Sequence, residues 1–169
     1  MRFSVAALSD AHDRSSFNCG EDALDRYFKT QATQDIRRRV ANCFVAVESA
    51  TGDVAAYYTL SAASIPFVDL PAEETKRLPH YPTLPAIRIG RLAVGKRFQG
   101  LGLGSALLAD AARRTLQADA AAFTLLVDAK NDQAVAFYQR YGFRALVQQP
   151  RTLFLPLATA RKALSLDPP

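Results

Sequence analysis

The sequence predicts an α/β fold, a mixed sheet with helices packed on its faces. Three observations carry this expectation. Apolar runs and helically periodic segments follow one another as strand, helix, three strands, helix, strand, helix, strand, strand. Gly100, Gly102 and Gly104 stand at alternate positions directly before a helical apolar stripe, as at a strand-to-helix turn. The 169 residues, 49% hydrophobic and 22% charged, suit one domain around one sizeable core.

Each element has a local reason. Residues 2–8 alternate weakly and read as an edge strand leading into a loop, not as a secretory signal. The stretch SSFNCGEDALDRYFKTQATQDIRRRV reads as one helix capped by Gly20 or Asn18. Glu21, Asp22 and Asp25 lie at its positive end and Arg37–Arg39 at its negative end, and Leu24, Phe28 and Ile36 recur at helical spacing beside Tyr27. CFVAVES (43–49), the turn ATGD and VAAYYTLSAASI (54–65) form a hairpin. Five prolines between 66 and 85 punctuate a connection with a short helix around 72–78. AIRIGRLAV (86–94) is the next strand. Leu103, Leu107 and Ala111, widened by Leu108, Ala112 and Leu116, mark the second long helix. AAFTLLVDA (121–129) is a buried strand. Residues 131–141 form a helix capped by Asn131 or Asp132 and ended by Gly142. FRALVQQ (143–149) and TLFLPL (152–157) are strands joined through Pro150, and residues 158–166 a closing helix.

Composition narrows the class. No apolar run approaches the roughly 20 residues that span a bilayer, so no membrane partner is expected. Two cysteines and two histidines give neither a disulfide framework nor metal-ligand spacing, so reduced thiols, a cytoplasmic location and no metal are expected. The net charge is +5 and the pI about 9.5. Sixteen of the 21 basic residues are Arg, a residue suited to phosphate. An anionic partner is implied, whether coenzyme, nucleic acid or acidic protein. No helix-turn-helix pattern points to DNA.

The three glycines carry the chemistry. A helix start leaves N–H groups without partners and carries partial positive charge. Glycines let the main chain approach an anion and adopt positive φ. A pyrophosphate resting on these amides is one reading, and a tight turn that binds nothing is the other. The stretch is not a Walker loop, because no Gly-Lys-Ser/Thr follows. It is not a dinucleotide fingerprint either, because it follows an antiparallel run late in the chain.

Gln99-Gly100-Leu101-Gly102-Leu103-Gly104, preceded by Arg97 and Phe98, resembles the Q/R-x-x-G-x-G/A acetyl-CoA motif of the GNAT superfamily of N-acetyltransferases. Asn131 to Phe143 resembles its second signature, N-x-x-A-x-x-F-Y-x-x-x-G-F. The two occur in the right order over essentially the whole chain. The resemblance implies a single GNAT domain over 1–169, with a mostly antiparallel sheet of six or seven strands. Phe17-Asn18-Cys19-Gly20, then Leu24 to Phe28 and Ala32 to Asp35, together with Gly90-Arg91-Leu92-Ala93-Val94, look like the acetyltransferase toxins of type II toxin–antitoxin systems. That group implies an aminoacyl-tRNA substrate, acetylated on its α-amino group to block translation, a ribbon-helix-helix antitoxin and a homodimer.

Residue roles follow from the resemblance. Main-chain groups of Leu92, Ala93 and Val94 take the pantetheine arm. Amides of Gln99, Gly100, Leu101, Gly102, Leu103, Gly104 and Ser105 take the pyrophosphate. Asn131 and Phe137 join the coenzyme contacts, although Asn131 also reads simply as an N-cap. Tyr138 is the general acid, since a phenol with a pKa near 10 is protonated at neutral pH; spacing alone makes it a packing tyrosine. No general base stands out. His12 and His80 lie outside the motifs, and Glu48, Asp53 or Asp128 acting through water remain candidates. An α-amine, with a pKa of roughly 7.7–8.0, needs less help than a lysine near 10.4. Arg37, Arg38 and Arg39 read either as RNA contacts or as a solvated helix end, with Arg77, Arg88, Arg91 and Lys29 as weaker candidates. The alternatives are a GNAT enzyme acting on a small amine or a protein, and a non-catalytic coenzyme-binding module.

Overall fold

The computed structural model describes residues 2–164 and residue 166. Its strands are β1 (Phe3–Ala7), β2 (Asn42–Glu48), β3 (Val54–Pro66), β4 (Thr83–Val94), β5 (Thr124–Asp128), β6 (Arg144–Leu146) and β7 (Gln149–Pro156). Its helices are α1 (Asp22–Thr30), α2 (Ala32–Arg37), α3 (Ala72–Thr75), α4 (Leu103–Gln117), α5 (Asp132–Arg140) and α6 (Leu157–Ala163). The seven strands are ordered β1-β2-β3-β4-β5-β7-β6. The β1–β2, β2–β3, β5–β7 and β6–β7 pairs are antiparallel, and β4–β5 is parallel. The expected α/β class, a mostly antiparallel mixed sheet flanked by helices, therefore holds, with seven strands. The expected closing helix ran to Leu166 through Ser165, which lies outside the described residues; α6 ends at Ala163.

The contacts divide the chain into two compact units, residues 1–61 with 90–110, and residues 62–89 with 111–169. In the first, α1 and α2 bury Tyr27, Phe28 and Ala32 among Phe17, Cys43, Val45, Val54, Tyr57 and Ala93. The rings of Phe28 and Tyr57 stack with centroids 4.2 Å apart, and the Tyr57 hydroxyl donates to the Leu24 carbonyl at 2.7 Å. Both tyrosines and Cys43 are buried deeply enough to matter electrostatically. Burial pushes the Cys43 thiol up to about 12, and raises the Tyr57 and Tyr27 phenols well above the ordinary tyrosine range.

The single helix expected over the segment before β2 is instead two, with Gln31 between them at φ −117°. Arg14 supplies the physical reason. Its Nη1 donates to the Phe28 carbonyl at 2.6 Å, the acceptor that Ala32 N–H would use in an unbroken helix, and its Nη2 donates to Thr33 Oγ1 at 3.1 Å. Neither Gly20 nor Asn18 caps α1. The N-cap is Glu21, whose side chain makes no capping bond, while Asp25 Oδ1 accepts the Cys19 N–H at 2.9 Å and Asn18 Oδ1 the Gly20 N–H at 2.9 Å. α2 closes in a Schellman turn. Val40 N–H donates to the Asp35 carbonyl and Arg39 N–H to that of Ile36, with Arg39 at φ 59° where glycine is usual.

In the second unit the core gathers Ile65, Leu70, Leu84, Ala86, Leu126, Leu146 and Phe154. β5 is buried from Thr124 to Val127, as a parallel-paired strand covered on both faces should be. Pro150 does not join the last two strands but lies within β7. The β6–β7 register jumps from Ala145↔Leu153 to Leu146↔Gln149, and β5 pairs with β7 only from Thr152 onward, so Pro150 sits in a bulge where no ladder needs its missing N–H. Gly142, at φ 94° after α5, has Ala163 Cβ only 3.0 Å from where a side chain would begin.

Candidate active site

The first unit holds the glycine loop. β4 pairs with β5 from Ala86↔Thr124 to Ile89↔Val127 and then continues through Arg91, Leu92, Ala93 and Val94. The transition falls at Gly90. Thr59 Oγ1, buried, accepts the Arg91 N–H at 3.1 Å and lies 3.0 Å from where a Gly90 Cβ would stand. Thr59 is thus a local determinant of this strand's course that sequence reasoning does not single out. A lone threonine in an apolar strand carries no signal for it.

Past Val94, the Gly95 N–H donates to the Ala55 carbonyl at 2.8 Å, and Lys96 to Phe98 make one tight 3₁₀ turn that buries the Phe98 ring. Gln99 follows with an exposed side chain that is nonetheless bound: its Nε2 donates to the Val94 carbonyl at 3.0 Å and the Cys19 carbonyl at 3.2 Å. Gly100 and Gly102 take φ of 79° and 82°, and nothing lies within 4 Å of where either Cβ would be. Gly104 differs: it is in the first turn of α4 and has no positive φ. Ala106 is the first residue of α4 to find an intrahelical acceptor, the Gly102 carbonyl at 3.1 Å, so the N–H groups of Leu103, Gly104 and Ser105 start the helix without one. Ser105 Oγ donates to the same carbonyl at 3.0 Å, while buried Leu103, Leu107 and Leu108 fix the helix beneath. The result is a main-chain concavity with two left-handed glycines, open on the side a Cβ would fill, at the positive end of a 15-residue helix. It fits a diphosphate.

The second unit holds Tyr138. α5 begins at Asn131, whose Oδ1 accepts the Ala134 N–H at 2.8 Å, so Asn131 is the N-cap. Further along the same helix, Tyr138 is 9% exposed, its ring edge-on to Phe137 (centroids 5.2 Å apart) and Phe143 (5.6 Å). Burial pushes its phenol up to about 12, and the carboxylate of Asp128 adds to the rise. Asp128, at the end of β5, is held from two sides: Arg88 pairs with Oδ2, and Thr152 Oγ1 donates to Oδ1 at 2.8 Å. A buried, firmly protonated phenol keeps its proton at neutral pH and has it ready for an anion that forms beside it.

The other candidates scatter. Glu48 pairs with Arg2 at 3.0 Å and Asp53 with Arg97 at 3.3 Å. His12 Nδ1 accepts the Ser9 N–H at 3.0 Å, and His80 packs on Phe67. Arg37, Arg38 and Arg39 are grouped around the Schellman turn, all three exposed. Arg77 and Lys29 are exposed elsewhere on their own units. Arg88 is engaged by Asp128, and Arg91 lies 3.5 Å from the centre of the Tyr27 ring. Among the described residues no cluster of His, Cys, Asp or Glu could hold a metal ion, and no helix is long and apolar enough to cross a membrane.

Residues 80–153 match the acetyltransferase (GNAT) domain family. Over 156 residues the chain is 36% identical to a tRNA-acetylating toxin of Mycobacterium tuberculosis, covering 91% of this chain and 92% of that protein. Among solved structures, a Tyr-to-Phe mutant of KacT has a TM-score of 0.85 at 29% identity, over 96% of this chain and 99% of that one. AtaT complexed with acetyl-methionyl-tRNAfMet has a TM-score of 0.83 at 28% identity, over 97% and 98%. AtaTR bound with acetyl-CoA has a TM-score of 0.79 at 28% identity, over 95% and 97%.

Proposed function

The chain belongs to the GNAT acetyltransferases, in the group of the tRNA-acetylating toxins, and on that premise we propose that it moves the acetyl group of acetyl-CoA onto the α-amino group of an aminoacyl-tRNA, so blocking translation. The observation that carries this reading is the concavity at the head of α4, where Gly100 and Gly102 hold positive φ with open space above them. An enzyme of this kind needs a grip on the coenzyme diphosphate that requires no side chain, and bare amides at a helix start supply one.

Bound acetyl-CoA supplies an acyl thioester. The amides of Gln99, Gly100, Leu101, Gly102, Leu103, Gly104 and Ser105 hold its diphosphate, and the main chain of Leu92, Ala93 and Val94 aligns its arm. Asn131 and Phe137 add contacts from α5. Tyr138 gives its proton to the departing thiolate. The amine nitrogen forms the new amide bond and releases a proton, which restores the phenol, so the reaction is proton-neutral when the amine enters uncharged. A raised phenol pKa favours that restoration. An α-amino group with a pKa of roughly 7.7–8.0 is substantially neutral at physiological pH, which makes a strong protein base dispensable.

Arg37, Arg38 and Arg39 provide a basic turn for tRNA phosphates, supplemented by Arg77, Arg88 and Arg91. The proposal extends to one acetyltransferase domain over 1–169, working in the cytoplasm as a homodimer and neutralised by a ribbon-helix-helix antitoxin. The test is incubation with labelled acetyl-CoA and total charged tRNA. Label recovered as an N-acetylated amino acid on tRNA is expected. Transfer to proteins or small amines alone would replace the tRNA reading, and no binding of acetyl-CoA would end it.

A further inference from the structure

We infer that Gln99 is a two-donor latch, a positioning residue whose side-chain amide ties the coenzyme loop to the segment leading into α1 and sets the loop before acetyl-CoA arrives. The inference rests on the coenzyme reading above and adds to it a role for the amino-terminal segment.

The loop needs an anchor. Its two left-handed glycines meet nothing at their open side, and glycine is the residue with most backbone freedom to lose. Downstream, buried Leu103 holds it. Upstream, the Phe98 ring is buried, and the next residue directs the side-chain amide of an otherwise exposed glutamine onto two carbonyl oxygens, Val94 at 3.0 Å and Cys19 at 3.2 Å. A long, flexible side chain held at two points on the surface has given up freedom that water would not have asked of it.

The second tie leads to α1. The Cys19 residue whose carbonyl accepts from Gln99 donates its own N–H to Asp25 Oδ1 in the first turns of α1 at 2.9 Å. One residue back, the Asn18 carbonyl accepts the Lys96 N–H at 2.7 Å. Gly20, at φ 94°, lies so close under Lys96 that a Cβ there would stand 2.9 Å from its Cε. Hydrogen bonds therefore connect Val94 in β4, through Gln99 and the main chain of Cys19, to Asp25 in α1. Phe17-Asn18-Cys19-Gly20 is thereby the strap on which the loop is fastened. Because both of its hydrogens are committed, Gln99 offers acetyl-CoA its main-chain N–H and not its side chain.

The latch needs donors only, and this fixes the test. Gln99→Ala removes both bonds, Gln99→Glu presents acceptors to two carbonyls, and Gln99→Arg restores donors on a longer arm. With charged tRNA held saturating, Gln99→Ala and Gln99→Glu are expected to raise KM for acetyl-CoA about tenfold, with kcat moving less, as the loss of two modest hydrogen bonds would do. Gln99→Arg is expected to recover most of that loss. Hydrogen exchange supplies a readout on α1: acetyl-CoA should slow exchange across residues 19–30 in the wild type and in Gln99→Arg, but not in Gln99→Ala. Thermal melts confirm that each variant is folded. An unchanged KM in folded Gln99→Ala, an arginine variant no better than the alanine one, or coenzyme protection of residues 19–30 surviving in Gln99→Ala would overturn the latch. Calorimetry on the wild type separates this from the wider reading: acetyl-CoA that binds wild type and Gln99→Ala alike removes the latch alone, whereas no binding to the wild type removes both.

Discussion

The loop at residues 99–105 offers main-chain N–H groups and open space, whereas α5 offers one phenol packed among Phe137 and Phe143. The loop works by what its side chains omit, so its chemistry is fixed once the backbone is. Tyr138 works by what surrounds it: the same side chain in water would hold its proton less firmly, and here burial and Asp128 hold it more firmly. A main-chain site should tolerate changes of side-chain chemistry but not of φ. A side-chain site should tolerate changes of shape but not loss of one oxygen.

The largest test of this contrast is Tyr138→Phe. It keeps the ring and its packing, so folding and acetyl-CoA binding should persist while turnover falls at least about a hundredfold, the usual range for a lost general acid. Single-turnover acetylation beside calorimetry reads both, and a wild-type rate would remove Tyr138 from the chemistry. Next, replacing Arg37, Arg38 and Arg39 together by Ala should weaken tRNA binding and flatten its dependence on log salt by about two to three units, because up to three phosphate contacts are lost. An unchanged slope would leave the run as an ordinary helix end. Gly102→Ala is milder. No atom obstructs the new methyl, so only the left-handed φ of 82° resists it, and acetyl-CoA affinity should drop about fivefold with little change in the chemical step.

The smallest effect concerns stability. Cys43, Tyr138, Tyr27 and Tyr57 all have raised folded-state pKa values. In the unfolded chain these groups lose protons at about 8.5 and 10, while the folded chain retains them. The unfolded state then binds fewer protons, so stability is complete below about pH 8.5 and declines as pH rises toward 12. Urea midpoints measured from pH 7 to 11 should fall only on the alkaline side. A flat profile would mean that these side chains are wetter than their packing indicates.

Much of this architecture was legible because local pattern decided it. The apolar run at 43–49, the turn at 50–53 and the Asn131 and Gly142 boundaries of α5 all depend on neighbours in sequence. What was not legible depends on distant partners. The break between α1 and α2 is made by Arg14 reaching Phe28 from fourteen residues away. Pro150 is admitted to β7 only because a cross-strand register shift leaves its position unpaired. In the candidate site the glycine spacing announced the loop, but its N-terminal fastening runs through an exposed glutamine and a cysteine carbonyl. Tyr138 stood out only by resemblance, since its burial and the nearness of Asp128 are properties of the folded chain.

Asn131 carries a consequence of its own. Its amide oxygen is engaged by the Ala134 N–H, so an acceptor that it touches must receive a hydrogen from its nitrogen. Aspartate at 131 would keep the oxygen, strengthen the cap through the helix dipole, and withdraw the hydrogens. One atom exchange therefore parts the residue's two duties: a variant that melts no lower yet grips the coenzyme less shows that the amide nitrogen, and not the cap, was facing outward for a purpose.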